Sequence, residues 1–407
     1  SFDIAEEKIT AVLLGKEVPA KHFDIISATI AEGLQTGLPA DIANKEIAVL
    51  IPDDTRLWAR GDVFIPVIIN QLLELGVKKE KIRVIIALGT HADMEEDKFS
   101  LLAGKFTVEN VEILNSANKD ISRLLSFGKT SRGTELVFTK EVAGADHIII
   151  FGGVLHHMLA GYGGGRKYIF PGIAGYDSIQ QNHSLAMLKQ GGAHPKVRQT
   201  ALQGNPVHED IQEAADIFLR DKGCTYVAVA ANGQGEIFHA EVGALEETFA
   251  KACARIDEAC CIKISQKLDF ALISAGGHRA DGQLYQATKA LFNSVSAVKE
   301  GGHLLFVAGC EEGVGNSLFE SALQKYHDNF NVLGRKLTVS FDMPSYVAYR
   351  VIELQKRFHI SLVSSLTKEK TCALGFDFID NFENYINNLT GKGYVVPFAE
   401  NILPIVG

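Results

Sequence analysis

Short runs of consecutive apolar residues alternate along this chain with stretches whose apolar positions recur every three to four residues. The runs at 45–51 (KEIAVLI) and 82–88 (IRVIIAL) read as buried strands, which need no polar alternation, and 111–114, 147–151 (HIIIF) and 225–230 read as further strands. Between them, 61–75 and 205–219 carry apolar residues at helical spacing. After a helix expected at 242–256, the rhythm resumes with a strand at 268–274 (LDFALIS), a helix at 283–298, a strand at 303–307, helices near Asn316 and Ser345, and a strand at 360–363. This alternation predicts an α/β fold of two α/β domains with largely parallel sheets. The boundary falls near 261–267, giving an N-terminal domain over 1–262 and a C-terminal one over 263–407, whose last residues are expected to pack back on the first. In such folds ligands bind beyond the carboxyl ends of strands, so the active site is expected in a cleft between the two domains.

A length of 407 residues suits that two-domain reading, and 46% hydrophobic with 22% charged residues excludes a disordered chain. With 40 Lys and Arg against 49 Asp and Glu, the net charge of -9 argues against a nucleic-acid partner, which needs clustered positive charge. No apolar run approaches the ~18 residues of a membrane span, and residues 1–8 lack the apolar core of a signal peptide. Six cysteines without CxxC spacing read as reduced thiols, which favours the cytoplasm. Glycine is the outlier, at 38 residues, about 9% against the usual ~7%, and it is clustered.

Several predicted strands end in groups with chemical potential. The first runs into Pro52-Asp53-Asp54-Thr55-Arg56, where Arg56 can bind a carboxylate while Asp53 and Thr55 can cap the next helix or hold a sugar. The second runs into Gly89-Thr90-His91, whose histidine is either a general base or a polar turn residue. Densest is the segment after 147–151, with His156, His157, Gly161, Gly163, Gly164, Gly165, Arg166 and Lys167, followed by Asn182-His183-Ser184. Bare glycines beside an arginine and a lysine suit an anion cradle, although neither the Walker spacing nor GxGxxG fits. In the second domain, Gly276-Gly277 precede Tyr285-Gln286-Ala287-Thr288-Lys289, where Gln286 and Lys289 share a helix face.

Together these residues resemble the nickel-dependent lactate racemase family. The matching elements are Asp53 to Arg56 (DDTR), Gly89 to His91 (GTH), His157 to Lys167 (HxxAGxxGGRK), Asn182 to Ser184 (NHS) and Tyr285 to Lys289 (YQAxK), in the family's order. The resemblance implies a racemase or epimerase that inverts C2 of a 2-hydroxy acid by reversible hydride transfer through a 2-keto acid. It implies a nickel-pincer nucleotide (pyridinium bisthiocarboxylate mononucleotide) bonded to Lys167, nickel held by His183, and His91 and His157 as the acid/base pair. Arg56, Tyr285, Gln286 and Lys289 would bind substrate, and Asp53, Thr55, Gly163, Gly164, Gly165 and Arg166 would contact the cofactor. Implied partners are a small 2-hydroxy acid and cofactor-biosynthesis proteins.

Lactate-using members tend to have proline after the first motif and arginine after the second; here Leu57-Trp58-Ala59-Arg60 and Ala92-Asp93 stand there. Lactate and a larger acid, such as a sugar acid or dicarboxylate, therefore both remain open, with Arg60 or Arg279 as extra contacts and Trp58 either packing or shaping the pocket. His156 reads as structural. The rival readings are a zinc hydrolase using the same histidines, which lacks an HExxH pair to support it, and a non-catalytic nucleotide-binding protein.

Overall fold

The computed structural model describes residues 5–407; residues 1–4, within the N-terminal stretch read above, and the side chains of His278 and Arg279 lie outside the described set, and with them the extra contact expected of Arg279. Two compact units are present, and neither is one continuous stretch. One comprises Val18–Leu185 and Lys196–Asp257, the other Ser1–Glu17, Ala186–Pro195 and Glu258–Gly407. Both are α/β with largely parallel sheets.

In the first unit the sheet order is Ile237–Ala244, Gly223–Ala231, His147–His157, Ile47–Ile51, Ile82–Ile86, Glu112–Asn115. Every neighbouring pair is parallel except the first, and Gly161–Gly163 folds back antiparallel onto the end of His147–His157. The all-apolar run Ile47–Ile51 is buried at every position. Apolar stripes of two helices cover this sheet, with Ile26, Ile30 and Leu34 from Phe23–Gly37 and Phe64, Ile65, Ile68 and Leu72 from Gly61–Glu74. The antiparallel hairpin of Leu124–Lys129 and Glu135–Thr139 was not expected from the pattern. Its Phe127 and Phe138 meet Phe218 of the helix Pro206–Leu219 at ring centroid distances of 5.3 and 4.8 Å.

Several expected elements change at their ends; the helix expected at 283–298 is Leu284–Ser294, and the strand expected at 303–307 begins at Val298. The helix expected at 242–256 is Leu245–Cys260, and Val242 belongs to the preceding strand Ile237–Ala244. That strand lies at the sheet edge, and its last positions from Glu241 to Ala244 are half-buried or exposed, so they lack the continuous apolar run that marks a buried strand. The strand expected at 147–151 continues to His157 through Gly152 and Gly153, which looked like terminators. A Cβ at Gly152 would overlap the Tyr168 hydroxyl, and one at Gly153 would overlap the Trp58 ring. These glycines admit two aromatic rings against a continuing strand.

The second unit has a parallel sheet in the order Ile9–Val12, Gly393–Val396, Leu268–Ser274, Val298–Val307, His359–Val363, Asp377–Phe378. Cys261–Ile264 pairs in parallel with Leu403–Val406, close to the chain's end. Phe270, Leu272, Leu305, Phe382 and Ile386 form a core cluster there. Among the described residues, no helix is long and apolar enough to cross a membrane.

Candidate active site

The first unit's candidate residues lie beyond the carboxyl ends of three adjacent parallel strands, Ile82–Ile86, Ile47–Ile51 and His147–His157, the usual ligand position in such sheets. After Ile47–Ile51, Asp53 caps a short 3-10 helix by accepting from the Thr55 amide at 3.1 Å, and the Thr55 hydroxyl donates to the same carboxylate oxygen. Its other oxygen meets Nδ1 of His91. Burial alone would raise the Asp53 carboxyl, but the His91 contact and the Thr55 hydroxyl outweigh it and hold it below the usual carboxylate range. Asp53 is therefore an anion on Nδ1 of a half-exposed imidazole, which leaves Nε2 to exchange protons. The turn carrying His91 is itself fixed, since the Asn118 amide donates to the carbonyls of Gly89 and His91 at 3.0 and 2.9 Å.

Arg56 donates to the Thr55 carbonyl at 3.0 Å and forms no ion pair among the described residues, so its charge is available to an anion. Arg60, by contrast, is engaged with Asp62 through two hydrogen bonds of 2.9 and 2.8 Å and lies over the Phe23 ring, away from the substrate contact considered for it. Trp58 packs against Gly153 and the core.

At the end of the third strand, neighbouring histidines part as strand alternation requires. His156 Nε2 meets Asp257 at 2.9 Å, and Tyr162 donates to the same carboxylate at 2.6 Å, an arrangement that packs this part of the unit. His157 opens the turn to Gly161, its Nδ1 accepting from the amides of Leu159 and Ala160 at 3.1 and 3.3 Å. Gly161 closes that turn at a φ of 76°, where a Cβ would strike the Ala201 carbonyl. Nε2 of His157 lies 2.8 Å from the Lys167 amine. Since Nδ1 accepts from two amides, the proton of a neutral ring sits on Nε2, and the Lys167 amine accepts it in its uncharged form. Burial and then the Arg56 charge bring the Lys167 ammonium down to about 7, so the uncharged form is readily reached near neutral pH and the charged form is still present.

The glycines before Lys167 are tightly packed: a Cβ at Gly164 would lie 2.7 Å from the Gly153 carbonyl oxygen, and one at Gly165 would lie 2.7 Å from the Phe249 ring. Close packing therefore accounts for them, a reason that clustering alone did not single out. Buried Arg166 turns to Glu246 and the Phe249 ring, and its Nε has no hydrogen-bond partner among the described residues. His183 is buried in the helix Tyr176–Ser184, and burial followed by the Lys167 charge drives it down to about 3, so it is neutral. His208 was missed in the sequence; burial and the Arg166 and Lys167 charges lower it to about 4. Arg56 thus supplies positive charge beside Lys167, and Arg166 beside His208. His91, His157 and His183 do not gather into a metal-holding group among the described residues, which removes the geometric support for the hydrolase alternative.

Tyr285, Gln286 and Lys289 lie in the second unit on the helix Leu284–Ser294. Tyr285 packs edge-on against Phe319 with centroids 5.3 Å apart, and burial, followed by Asp342, pushes its phenol up to about 12. Gln286 is exposed, and Lys289 lies 3.3 Å from Glu400.

The structure thus defines a two-unit α/β protein with largely parallel sheets, whose first unit gathers candidate residues at the carboxyl ends of adjacent strands. Residues 1–194 match the family described as lactate racemase N-terminal domain and residues 264–390 the lactate racemase C-terminal domain. The chain belongs to the lactate racemase family and is an isomerase. It is similar to the lactate racemase of Thermoanaerobacterium thermosaccharolyticum, with 25% identity over 345 residues covering 83% of this chain and 78% of that one. Against the lactate racemase of Lactiplantibacillus plantarum the identity is 28% over 284 residues, 70% of this chain and 65% of the other. The fold matches the structure of the lactate racemase apoprotein from T. thermosaccharolyticum with a TM-score of 0.87 at 22% identity, covering 99% and 97% of the two chains. It also matches a crystal structure of a protein from Thermotoga maritima with a TM-score of 0.71 at 17% identity, covering 97% and 100%.

Proposed function

We propose that this chain interconverts the C2 stereoisomers of a 2-hydroxy acid, with a nickel-pincer nucleotide carried on Lys167. The observation that carries the reading is the Lys167 amine held as an acceptor 2.8 Å from His157 Nε2, in a chain of the lactate racemase family. The residues suit that group. A neutral buried amine is the form that bonds to an acyl carbon, a neutral buried imidazole at His183 suits a metal, and the surrounding cations with the unpartnered Nε of Arg166 suit a phosphate. When bound, the nickel-pincer nucleotide supplies the hydride chemistry that proton transfer alone does not perform.

The chain's own residues handle charge and protons. Arg56 binds the substrate carboxylate. His91, its Nδ1 held by Asp53, uses Nε2 to take or return the hydroxyl proton on one face of C2. The matching role of His157 on the other face rests on the resemblance; to take a proton its Nε2 must hold the lone pair, which requires Nδ1 to turn from the Leu159 and Ala160 amides. Asp53 orients His91 and Thr55 holds Asp53, while the cofactor contact expected of both rests on the resemblance. Substrate binding by Tyr285, Gln286 and Lys289, and cofactor binding by Gly163 to Gly165, rest on the resemblance. Lactate is the substrate named for both curated relatives, and a larger 2-hydroxy acid remains the second candidate because Leu57 and Ala92 depart from the lactate-using pattern. We further place the enzyme in the cytoplasm, served by cofactor-biosynthesis proteins.

Protein made in a host that synthesises the pincer nucleotide is expected to show a mass increase located on Lys167 and to contain nickel; an unmodified Lys167 in that host overturns the reading. His91→Ala and His157→Ala are each expected to lose about 10²–10⁴ in racemisation while keeping the adduct, measured by loss of optical purity of enantiopure 2-hydroxy acids. The same assay across lactate and larger acids identifies the substrate.

A further inference from the structure

A buried hydrogen-bond network lies behind His183, and no role described so far uses it. Asn182 is fully buried, and its Nδ2 lies 3.1 Å from the Val207 carbonyl and 2.9 Å from Asp210 Oδ2. A backbone carbonyl only accepts, so the nitrogen end of the amide must face it, and Oδ1 must be the atom 2.9 Å from His183 Nδ1. An amide oxygen has no proton to give; the imidazole therefore donates from Nδ1, and in a neutral ring Nε2 carries the lone pair.

Asp210 is also fully buried, and a buried carboxyl group needs donors. Two come from the hairpin turn that the sequence pattern missed: the Thr130 and Thr134 hydroxyls donate to its two oxygens at 2.5 and 2.7 Å. The same turn is clamped to the helix Pro206–Leu219 on either side of Asp210, because Ser131 donates to Glu213 at 2.6 Å and Arg132 pairs with Glu209 at 2.5 Å. The turn thus holds the Asp210 carboxyl against Asn182, and Asn182 against the imidazole.

We propose that Asn182 and Asp210, gripped by Thr130 and Thr134, are the positioning residues that fix His183 as the Nδ1–H tautomer and make Nε2 its metal-ligating nitrogen. The metal clause rests on the reading of His183 as the nickel ligand; the tautomer does not. Metal-bound histidines commonly have the other ring nitrogen held in this way, and loss of such partners costs about 10- to 100-fold in metal affinity or activity.

The test begins with unloaded protein carrying nitrogen-15 histidine near neutral pH, in which long-range proton–nitrogen correlation separates the two tautomers and His183→Gln identifies the signal. The wild-type ring is expected as Nδ1–H, with that preference lost in Asn182→Ala. A wild-type ring that is mostly Nε2–H overturns the proposal, and so does an unchanged ring in folded Asn182→Ala. If Asn182→Ala does not fold, the wild-type spectrum decides alone. In loaded protein challenged with a chelator, Asp210→Ala is expected to release nickel about 10- to 100-fold faster than wild type, and Asp210→Asn, which keeps an acceptor oxygen, to recover part of the difference. Equal release from all three removes the positioning role. A loaded wild-type chain with the expected tautomer but no nickel would instead overturn the nickel reading and leave the network standing.

Discussion

A lysine amine is a nucleophile only after it loses its proton, and in Lys167 two independent features favour that loss. Burial and the Arg56 charge disfavour the ammonium, and the His157 tautomer offers a proton where an ammonium would have to donate one. The ordinary lysine value is 10.5 and that of Lys167 is about 7, so the sign is toward neutral amine at physiological pH. Limited acylation of unloaded protein, read by peptide mass spectrometry, is expected to show Lys167 labelling that rises through pH about 7 and then levels, while surface lysines keep rising toward alkaline pH. A Lys167 profile that tracks the surface lysines excludes the neutral-amine picture. The Asp53 and His91 pair makes a parallel case: Asp53→Asn removes the anion that orients Nδ1, and a fall in turnover of about 10² is expected, with an altered pH profile and the adduct retained.

At the scale of elements, the site depends on a strand that continues where its glycines look like a stop. His147–His157 reaches His157 because Gly152 and Gly153 leave room for the Tyr168 and Trp58 rings. Tyr168 follows Lys167, and Trp58 follows Arg56 by two residues, so the same contacts set the position of two functional segments on the strand. Gly153→Val is expected to lower stability by about 1–3 kcal/mol, the usual cost of overpacking, measured as a lower urea midpoint. Arg56 should be displaced with Trp58, so substrate KM should rise in whatever folded fraction remains. An unchanged midpoint means that Trp58 is not held against this strand.

For the whole molecule, acid should be more damaging than mild alkali. His147 and His208 are buried and neutral, and each is lowered to about 4, His147 by burial and the Lys45 charge, His208 by burial and the Arg166 and Lys167 charges. A histidine lowered on folding binds its proton more readily when unfolded, so stability is present above the unfolded value of about 6.5 and is lost as pH falls toward about 4. Two such groups give a slope of up to about 3 kcal/mol per pH unit within that window. Urea midpoints at several pH values check this, and a flat profile between pH 6.5 and 4.5 excludes it, those limits lying about inside the window.

Much of the molecule was legible in its sequence because the strongest signals are local. Five strands of the first unit, the covering helix Gly61–Glu74 and the motif residues after three of the strands follow from runs and spacings that need no partner to be seen, whereas the helix Phe23–Gly37 was not expected and Glu112–Asn115 is not buried. The α/β class and the order of the motifs came directly from those runs and spacings. What the tertiary structure alone decided is what each side chain faces. Asp53 was read as a nucleotide contact or a cap, and it also holds His91, which is 38 residues away. The glycines before Lys167 resembled an open cradle, and packing against Gly153 and Phe249 accounts for them. Of the Thr130, Asn182 and Asp210 network only Asn182 stood in a motif, and its link to the other two, 28 to 80 residues apart, carries no sequence signature. Periodicity encodes burial, which is a property of one element, whereas a tautomer or a lowered pKa belongs to groups that meet only when the chain has folded.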